Sequence, residues 1–330
     1  MKPSGNLEIF QAFGWELKAI TGSIKAGYFT GKANVIQITP MTGTKQVVTN
    51  TDDEYWIYYQ PINFHIGNQL GGINELKELT EVAHEHGIAI VADLVVRHMA
   101  GANDGSYRPN ELVDPELQEV FLENAIKGEN PYDRNQLIYG SWGVPMVDYF
   151  SPKAQKLIKQ LIDEYLECGV DGFRIDMGKH FALPSENAAA KGFWDLFRGI
   201  DIVYAECIDL DTWWLDRYIN ETGVMVLTSY PTPTDKSKGV IFFESHDTYW
   251  AFGYTKKMSD EQRIEEWGYL KGMNRIFFCR PFDTAWDKIN RREWSEDMKE
   301  CLIIGIMFIV LAILTVLGEK RSEDKWKRGN

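Results

Sequence analysis

Short apolar runs alternate with longer amphipathic stretches along most of this 330-residue chain. Several of these runs are continuous and rich in β-branched or aromatic residues, which is typical of parallel strands buried on both faces. The predicted strands cover residues 7–13, 34–39, 88–96, 172–176, 202–206, 224–227, 240–244 and 275–279.

The stretches between these strands carry the spacing of amphipathic helices. Residues 74–86 and 259–271 show this pattern, and so do residues 152–168. For the last of these, Ser151 is the predicted N-cap and Pro152 the first helical residue. Strands that alternate with helices predict an α/β fold, a (β/α)8 TIM barrel. An open doubly wound sheet is the alternative, disfavoured because no G-x-G-x-x-G motif follows the first strand.

The interval after the third strand is too long for a simple connection. Residues 99–147 contain several Asn, Asp, Gly and Pro residues, which predict an inserted subdomain at the C-terminal face of the barrel. The barrel itself is predicted to occupy residues 1–98 and 148–285, followed by a C-terminal helical tail over 286–330.

One apolar run in this tail has no place in the barrel pattern. Residues 301–318 carry no charged side chain. As a helix they would extend about 27 Å, close to the roughly 30 Å of a bilayer core. The run predicts either a membrane anchor or, as the alternative, a buried helix or an oligomer contact, because a final barrel helix should be amphipathic.

Composition narrows the class of protein without identifying it. Hydrophobic residues make up 44% and charged residues 25%, which excludes a disordered chain. The net charge of −13 argues against a nucleic-acid partner. The four cysteines are too widely spaced to predict a zinc cluster or a disulfide framework. Polar residues interrupt any apolar stretch at the N-terminus, so no signal peptide is predicted and a cytoplasmic location is expected.

Four carboxylates follow predicted strands, where the mouth of a barrel would be. Asp93, Asp176, Glu206 and Asp247 occupy these positions. Cleavage of a glycosidic bond needs such a set, because one carboxylate attacks the anomeric carbon while another protonates the leaving oxygen. Arg174 lies two residues before Asp176, so both side chains point to the same face, and its charge favours the ionised carboxylate. The alternatives are helix caps or a metal hydrolase, although the strands lack an H-x-H signature.

The segments around these residues carry a family resemblance. ADLVVRH, GVDGFRIDMGKH, IVYAE and FFESHD, in this order, resemble the four conserved segments of the alpha-amylase family of glycoside hydrolases. YWIYYQPINFHIGNQLGG, residues 55–72, is similar to that family's sugar-stacking segment. The resemblance extends over roughly residues 7–285.

The resemblance implies a role for each matching residue. Asp176 resembles the nucleophile, Glu206 the general acid/base and Asp247 the transition-state stabiliser, while Asp93 resembles a structural aspartate. The residues implied in substrate binding are Tyr59, Trp56, His98, Arg174, Lys179, His180 and His246.

One departure from the family pattern concerns a structural calcium ion. Arg97 stands where family members usually have an Asn ligand, and Arg has no acceptor atom. Asp148 resembles a second ligand, so a remnant calcium site is one expectation. The preferred hypothesis is that Arg97 pairs with Asp148 and its charge replaces the ion. No cofactor is therefore expected to be required.

The resemblance implies a retaining glycoside hydrolase that cleaves α-glucosidic bonds in starch-like glucans, with an α-glucan as its partner. Two alternatives stay open. One is a transglycosylase or isomerase on α-glucans, because those activities share the same segments. The other is a non-catalytic family member tethered to a membrane through residues 301–318.

Overall fold

Eight parallel strands close into a barrel in the computed structural model, which describes residues 1–102, 104, 106–280 and 283–289. The predicted (β/α)8 TIM barrel is therefore confirmed, and each barrel strand lies within or beside a predicted apolar run. Going around the barrel, the strands are β1 (Glu8–Ala12), β12 (Asn274–Phe278), β11 (Gly239–Phe242), β10 (Met225–Thr228), β9 (Ile202–Glu206), β8 (Gly172–Ile175), β5 (Ala89–Leu94) and β2 (Val35–Ile38).

Helices connect the strands and bury their apolar sides. In the helix over Pro152–Glu167, Ser151 caps the N-terminus by accepting a hydrogen bond from the backbone N–H of Lys153, as its sequence predicts. The helices are α1 (Leu17–Lys25), α2 (Thr51–Glu54), α3 (Ile73–Glu85), α4 (Arg134–Tyr139), α5 (Pro152–Glu167), α6 (Ala190–Asp195), α7 (Thr212–Thr222) and α8 (Asp260–Tyr269).

The segment between β5 and β8 contains the insertion. It holds α4 and a short parallel pair, β6 (Ile126–Lys127) with β7 (Gly140–Ser141). A separate antiparallel pair, β3 (Thr42–Thr44) with β4 (Pro61–Ile66), lies in the connection after β2. The backbone N–H of Ala100 donates to the carbonyl of Pro61 at 2.8 Å, so the start of the insertion runs along β4.

Two glycines allow neighbouring segments to approach closely. A Cβ on Gly172, at the start of β8, would lie 1.8 Å from the carbonyl oxygen of Ile202 on β9. A Cβ on Gly178, in the turn after β8, would lie 2.6 Å from the backbone nitrogen of Glu206. Side chains at these positions would push the fourth and fifth barrel strands apart.

The chain divides into two units. The first, Met1–Ser259 with Glu265–Arg280, contains all eight barrel strands. In the second, Arg263 donates to the buried carboxylate of Asp283 at 2.8 Å. No helix within the described part of the chain is both long and apolar enough to cross a bilayer. The predicted membrane helix over 301–318 lies outside the described residues.

Candidate active site

The mouth of the barrel brings Asp176 and Glu206 together. Asp176 directly follows β8, and Glu206 is the last residue of β9, the neighbouring strand. The carboxyl ends of parallel strands share one edge, so both side chains lie at the C-terminal face, where TIM-barrel enzymes carry their active sites.

A single buried guanidinium binds three carboxylates at this place. The Nη1 atom of Arg174 lies 2.8 Å from Asp176 Oδ1 and 2.8 Å from Asp93 Oδ1, and its Nη2 atom pairs with Glu206. The guanidinium is fully buried in the barrel, so these charge-assisted contacts are shielded from water. Arg174 therefore holds Asp176 and Glu206 at a short distance from each other.

The backbone after Asp176 also holds Glu206. Met177 adopts the left-handed conformation, with φ of 52°, which is uncommon for a residue with a side chain. In this conformation its N–H donates to Glu206 Oε2 at 3.1 Å. Glu206 is thus bound by a guanidinium on one oxygen and by a backbone amide on the other.

Aromatic rings cover the carboxylates. The Tyr59 hydroxyl donates to Asp93 at 2.8 Å, and its ring stacks on His246 with centroids 4.9 Å apart. Phe13, which follows β1, also stacks on His246, with centroids 5.0 Å apart. Asp247 follows His246 and keeps 36% of its side chain exposed, so its carboxylate faces the mouth beside the rings.

Two histidines present an unpartnered nitrogen in this region. The Nε2 atom of His98 lies 2.7 Å from the carbonyl oxygen of Tyr59, so this nitrogen carries the proton. Among the described residues, the buried Nδ1 atoms of His98 and His246 have no hydrogen-bond partner. Buried polar atoms are normally paired, so each of these nitrogens is a candidate contact for a polar ligand.

Burial has the largest effect on the pKa values of the carboxyl groups and histidines at this site. It raises the pKa of Asp93 to about 6 and the pKa of Asp176 well above its ordinary value, with Arg174 opposing both shifts. Burial likewise raises the pKa of Asp247, while it lowers the pKa of His98 to about 4 and that of His246 to about 3. The histidines are therefore neutral near neutral pH. Arg174 pairs with Asp176 as expected, but desolvation of the carboxyl outweighs that attraction.

Three predicted substrate residues lie around this cluster rather than within it. The Lys179 ammonium donates to the carbonyl of Ile208, in the loop after β9. The His180 ring lies beside the insertion, with Nδ1 3.1 Å from the Leu137 carbonyl. Trp56 is 42% exposed on the 3₁₀ turn that carries Tyr59.

Aromatic residues that the sequence analysis did not single out complete the mouth. Trp250 stacks on Tyr55 with centroids 5.1 Å apart, and this contact joins the segment before β4 to the loop after β11. Phe13 lies 5.2 Å from Trp250 as well as against His246. The position of Trp250 three residues after Asp247 is the one sequence signal that could have indicated it.

Arg97 makes different contacts from those predicted. Its guanidinium donates to the backbone carbonyls of Val147, His180 and Ile138. Among the described residues, Asp148 is not a hydrogen-bond partner of Arg97, although its charge favours the charged guanidinium. The predicted Arg97–Asp148 pairing is thus replaced by bonds to main-chain oxygens, which suit the fork of N–H donors on a guanidinium.

Comparisons with known proteins agree on one family. The family model described as alpha amylase, catalytic domain, matches residues 32–195. An alpha-amylase of Clostridium acetobutylicum is 26% identical over 314 residues, covering 83% of this chain and 40% of that protein. Pancreatic alpha-amylase of Rattus norvegicus is 30% identical over 164 residues, covering 44% of this chain and 31% of that protein. The chain therefore spans less than half the length of these relatives.

Solved structures show the same fold. The alpha-amylase of Geobacillus thermoleovorans, complexed with acarbose, matches with a TM-score of 0.64 at 16% identity, covering 83% of this chain and 69% of that one. The cyclomaltodextrin glucanotransferase CldA matches with a TM-score of 0.67 at 17% identity, covering 84% and 71%. With the barrel, the family-model match and the curated relatives in agreement, the chain belongs to the alpha-amylase family of glycoside hydrolases.

Proposed function

We propose that this protein cleaves α-glucosidic bonds in starch-like glucans by a retaining mechanism. The observation that carries the proposal is the pairing of Asp176 and Glu206 with one buried guanidinium, that of Arg174. Retaining enzymes need two carboxyl groups only about 5–5.5 Å apart. Two carboxylates that share one guanidinium are close neighbours, as such an enzyme requires.

In the first step, ionised Asp176 attacks the anomeric carbon while protonated Glu206 gives its proton to the departing glycosidic oxygen. A covalent glycosyl-enzyme forms and the shortened glucan leaves. Glu206 then takes a proton from water, which attacks the anomeric carbon and releases Asp176. Arg174 favours the ionised form of Asp176 for the first step.

The surrounding groups fit a sugar ring in the cleavage position. The unpartnered Nδ1 atom of His98 is an acceptor for a sugar hydroxyl, because its Nε2 carries the proton, and the Nδ1 atom of His246 offers a second polar contact. The Tyr59 ring supplies an apolar surface for the C–H face of the ring. Asp247, whose side chain is partly exposed, is placed to stabilise the positive charge that develops on the sugar.

Two isosteric substitutions test the proposal. Asp176→Asn removes the nucleophile and is expected to lower kcat on soluble starch by on the order of 10⁴-fold. Glu206→Gln removes the acid/base and should lower it by roughly 10²–10⁴-fold. The readouts are the release of reducing ends and the midpoint of thermal unfolding.

Matched control variants change exposed carboxylates on outer helices in the same way. Asp163→Asn lies on α5 and Glu78→Gln on α3, and both should retain wild-type turnover. Near-wild-type turnover of either active-site variant would refute the assignment.

The sizes of the products distinguish hydrolysis from transfer. Both reactions use the same glycosyl-enzyme, and they differ in whether water or a second sugar accepts the glycosyl group. Products no longer than the maltooligosaccharide substrate support hydrolysis. Products longer than the substrate would assign the chain to transglycosylation.

A further inference from the structure

Arg97 occupies a cage of main-chain oxygens between the insertion and the barrel. The residue is fully buried, and it follows β5. Its Nη1 atom donates to the Val147 carbonyl at 3.0 Å and its Nε atom to the His180 carbonyl at 3.3 Å, while Nη2 bonds the Ile138 carbonyl. One side chain thereby bonds three buried carbonyl groups, of which that of Val147 also accepts from the backbone N–H of Tyr149 at 3.0 Å.

The three carbonyls come from three separate segments. Ile138 lies in α4 of the insertion, Val147 at the end of the insertion, and His180 in the turn that follows Asp176. Two aromatic rings cover the guanidinium: the centroid of Tyr149 lies 5.1 Å away and that of Phe181 6.0 Å away. These contacts place a fixed positive charge where the insertion meets the turn that follows Asp176.

A calcium ion does not fit this junction. Calcium takes six to eight oxygen ligands in proteins. Here the carbonyl oxygens accept hydrogen bonds from Arg97, which has no acceptor atom of its own and repels a divalent cation. Asp148, the other predicted ligand, accepts a hydrogen bond from the backbone N–H of Phe150.

We propose that the Arg97 guanidinium takes the place of a divalent metal ion and links the insertion to the turn over Gly178–His180, which follows Asp176. The turn over Gly178–His180 begins two residues after Asp176, so the link through the His180 carbonyl also steadies the segment that carries the nucleophile. The thermal stability of this protein is then independent of calcium.

The first test measures thermal unfolding of the wild-type protein after treatment with EDTA and after addition of calcium chloride. We expect the same midpoint in both. A midpoint that falls with EDTA or rises with calcium would overturn the proposal. This measurement needs no variant, so it stands even where a substitution prevents folding.

The second test compares three variants. Arg97→Met removes the guanidinium donors to the three carbonyls and should lower the midpoint by several degrees. Arg108→Met makes the same change at an exposed Arg of the insertion, and its midpoint should stay near wild type. Arg97→Asn supplies an acceptor again, so calcium should raise the midpoint of this variant alone. Equal midpoints for Arg97→Met and Arg108→Met, or no calcium effect on Arg97→Asn, would contradict the proposal.

A separate observation concerns two exposed rings beside Asp247. Phe252 and Tyr254 are 60% and 76% exposed, yet their rings stack in parallel, with centroids 5.4 Å apart and an interplanar angle of 12°. Gly253 between them has φ of +67°, a conformation that turns the chain between the two side chains. Large exposed apolar groups in a fixed arrangement indicate a binding surface.

The loop that carries these rings is anchored at both ends. The backbone N–H of Phe252 donates to the Asp247 carbonyl at 2.9 Å, and that of Thr255 donates to the Thr248 carbonyl at 3.2 Å. Arg280 donates to the Thr255 carbonyl and also pairs with the buried Glu244. The backbone that carries the ring pair is therefore hydrogen-bonded at both ends, and it begins one helical turn beyond Asp247 of the candidate active site.

We infer that Phe252 and Tyr254 form a platform on which an α-glucan chain stacks as it leaves or enters the mouth. This inference rests on the proposed function, because it takes its ligand class from the substrate. The platform is neutral and apolar at its rings, which suits the C–H faces of uncharged sugars. A chain held there is continuous with the mouth at Asp247.

Affinity electrophoresis in gels with amylopectin tests the platform, using Asp176→Asn protein so that no glucan is cleaved. Adding Phe252→Ala with Tyr254→Ala should weaken the retardation several-fold. Adding Tyr269→Ala, which removes an exposed ring on α8, should not. Equal retardation with and without the ring pair would overturn the platform alone. Absence of retardation in every variant would contradict both the platform and the proposed function.

Discussion

At the scale of single residues, the charge balance around Arg174 determines how the site ionises. Asp93, Asp176 and Glu206 share its one positive charge. Burial disfavours the charged forms of Asp93 and Asp176, and neighbouring carboxylates repel them, so the pKa values of these two carboxyls lie above those of exposed aspartates. The pH dependence of the reaction should reflect this.

The acid limb of the pH–rate profile is the corresponding prediction. As the proposed nucleophile, Asp176 must be ionised to attack, and burial raises its pKa well above the ordinary value. Activity is therefore present above the raised pKa and lost as the pH falls through it. We expect kcat/KM on maltooligosaccharides to fall at a pH above the value of about 3.9 that an exposed Asp shows. Full activity retained at about pH 4 would contradict this ionisation scheme.

The site residues that could be predicted from the sequence are those with charged side chains at the ends of strands. Asp176, Glu206 and Arg174 lie together as the strand ends and the two-residue spacing indicate. The partners of Arg97 were not accessible in this way. They are backbone carbonyls, which every residue carries, so no residue type marks them. The left-handed conformation of Met177 could not be predicted from the sequence either, because tertiary contacts impose it.

At the scale of elements, the turn after β8 positions Glu206, the proposed acid/base. Gly178 packs against the end of β9, where a Cβ would lie 2.6 Å from the Glu206 nitrogen and 2.7 Å from the Ala205 Cβ. Since the obstructing atoms belong to a barrel strand, they cannot move aside as the tip of a flexible side chain would.

Gly178→Ala should therefore destabilise the fold and displace Glu206. We expect a loss of about 1–3 kcal/mol in the free energy of unfolding, together with a fall in kcat. Gly268→Ala is the matched control, because a Cβ at that position on α8 meets nothing within 4 Å. It should be neutral or slightly stabilising. Urea denaturation of both variants gives the comparison, and equal stabilities would show that the turn has room for a side chain.

The ends of an element could be predicted where the sequence holds both capping residues and a regular apolar spacing. In α5 the cap at Ser151 and the proline at position 152 fix the N-terminus, and the apolar spacing fixes the buried side. The stack of Trp250 on Tyr55 could not be foreseen in the same way. It joins two loops about 200 residues apart, and only the closed barrel brings those loops together.

At the scale of the whole molecule, the barrel was the most predictable feature. Its strands are buried on both faces, so several appear as continuous apolar runs, and eight runs with intervening helices favour a closed barrel over an open sheet. The insertion was evident from the long interval after the third strand. The interactions that attach it, through Arg97 and through Ala100 to β4, depend on backbone atoms and required the structure.

The most direct measurement of the central claim is mass spectrometry of a trapped glycosyl-enzyme. The Glu206→Gln variant would be incubated with an α-maltosyl fluoride, whose leaving group needs no acid, and then digested. We predict a glycosyl adduct on the peptide that contains Asp176, and none when Asp176→Asn is added. An adduct on another residue, or none from folded Glu206→Gln protein while the fluoride is consumed, would contradict a retaining mechanism with Asp176 as nucleophile.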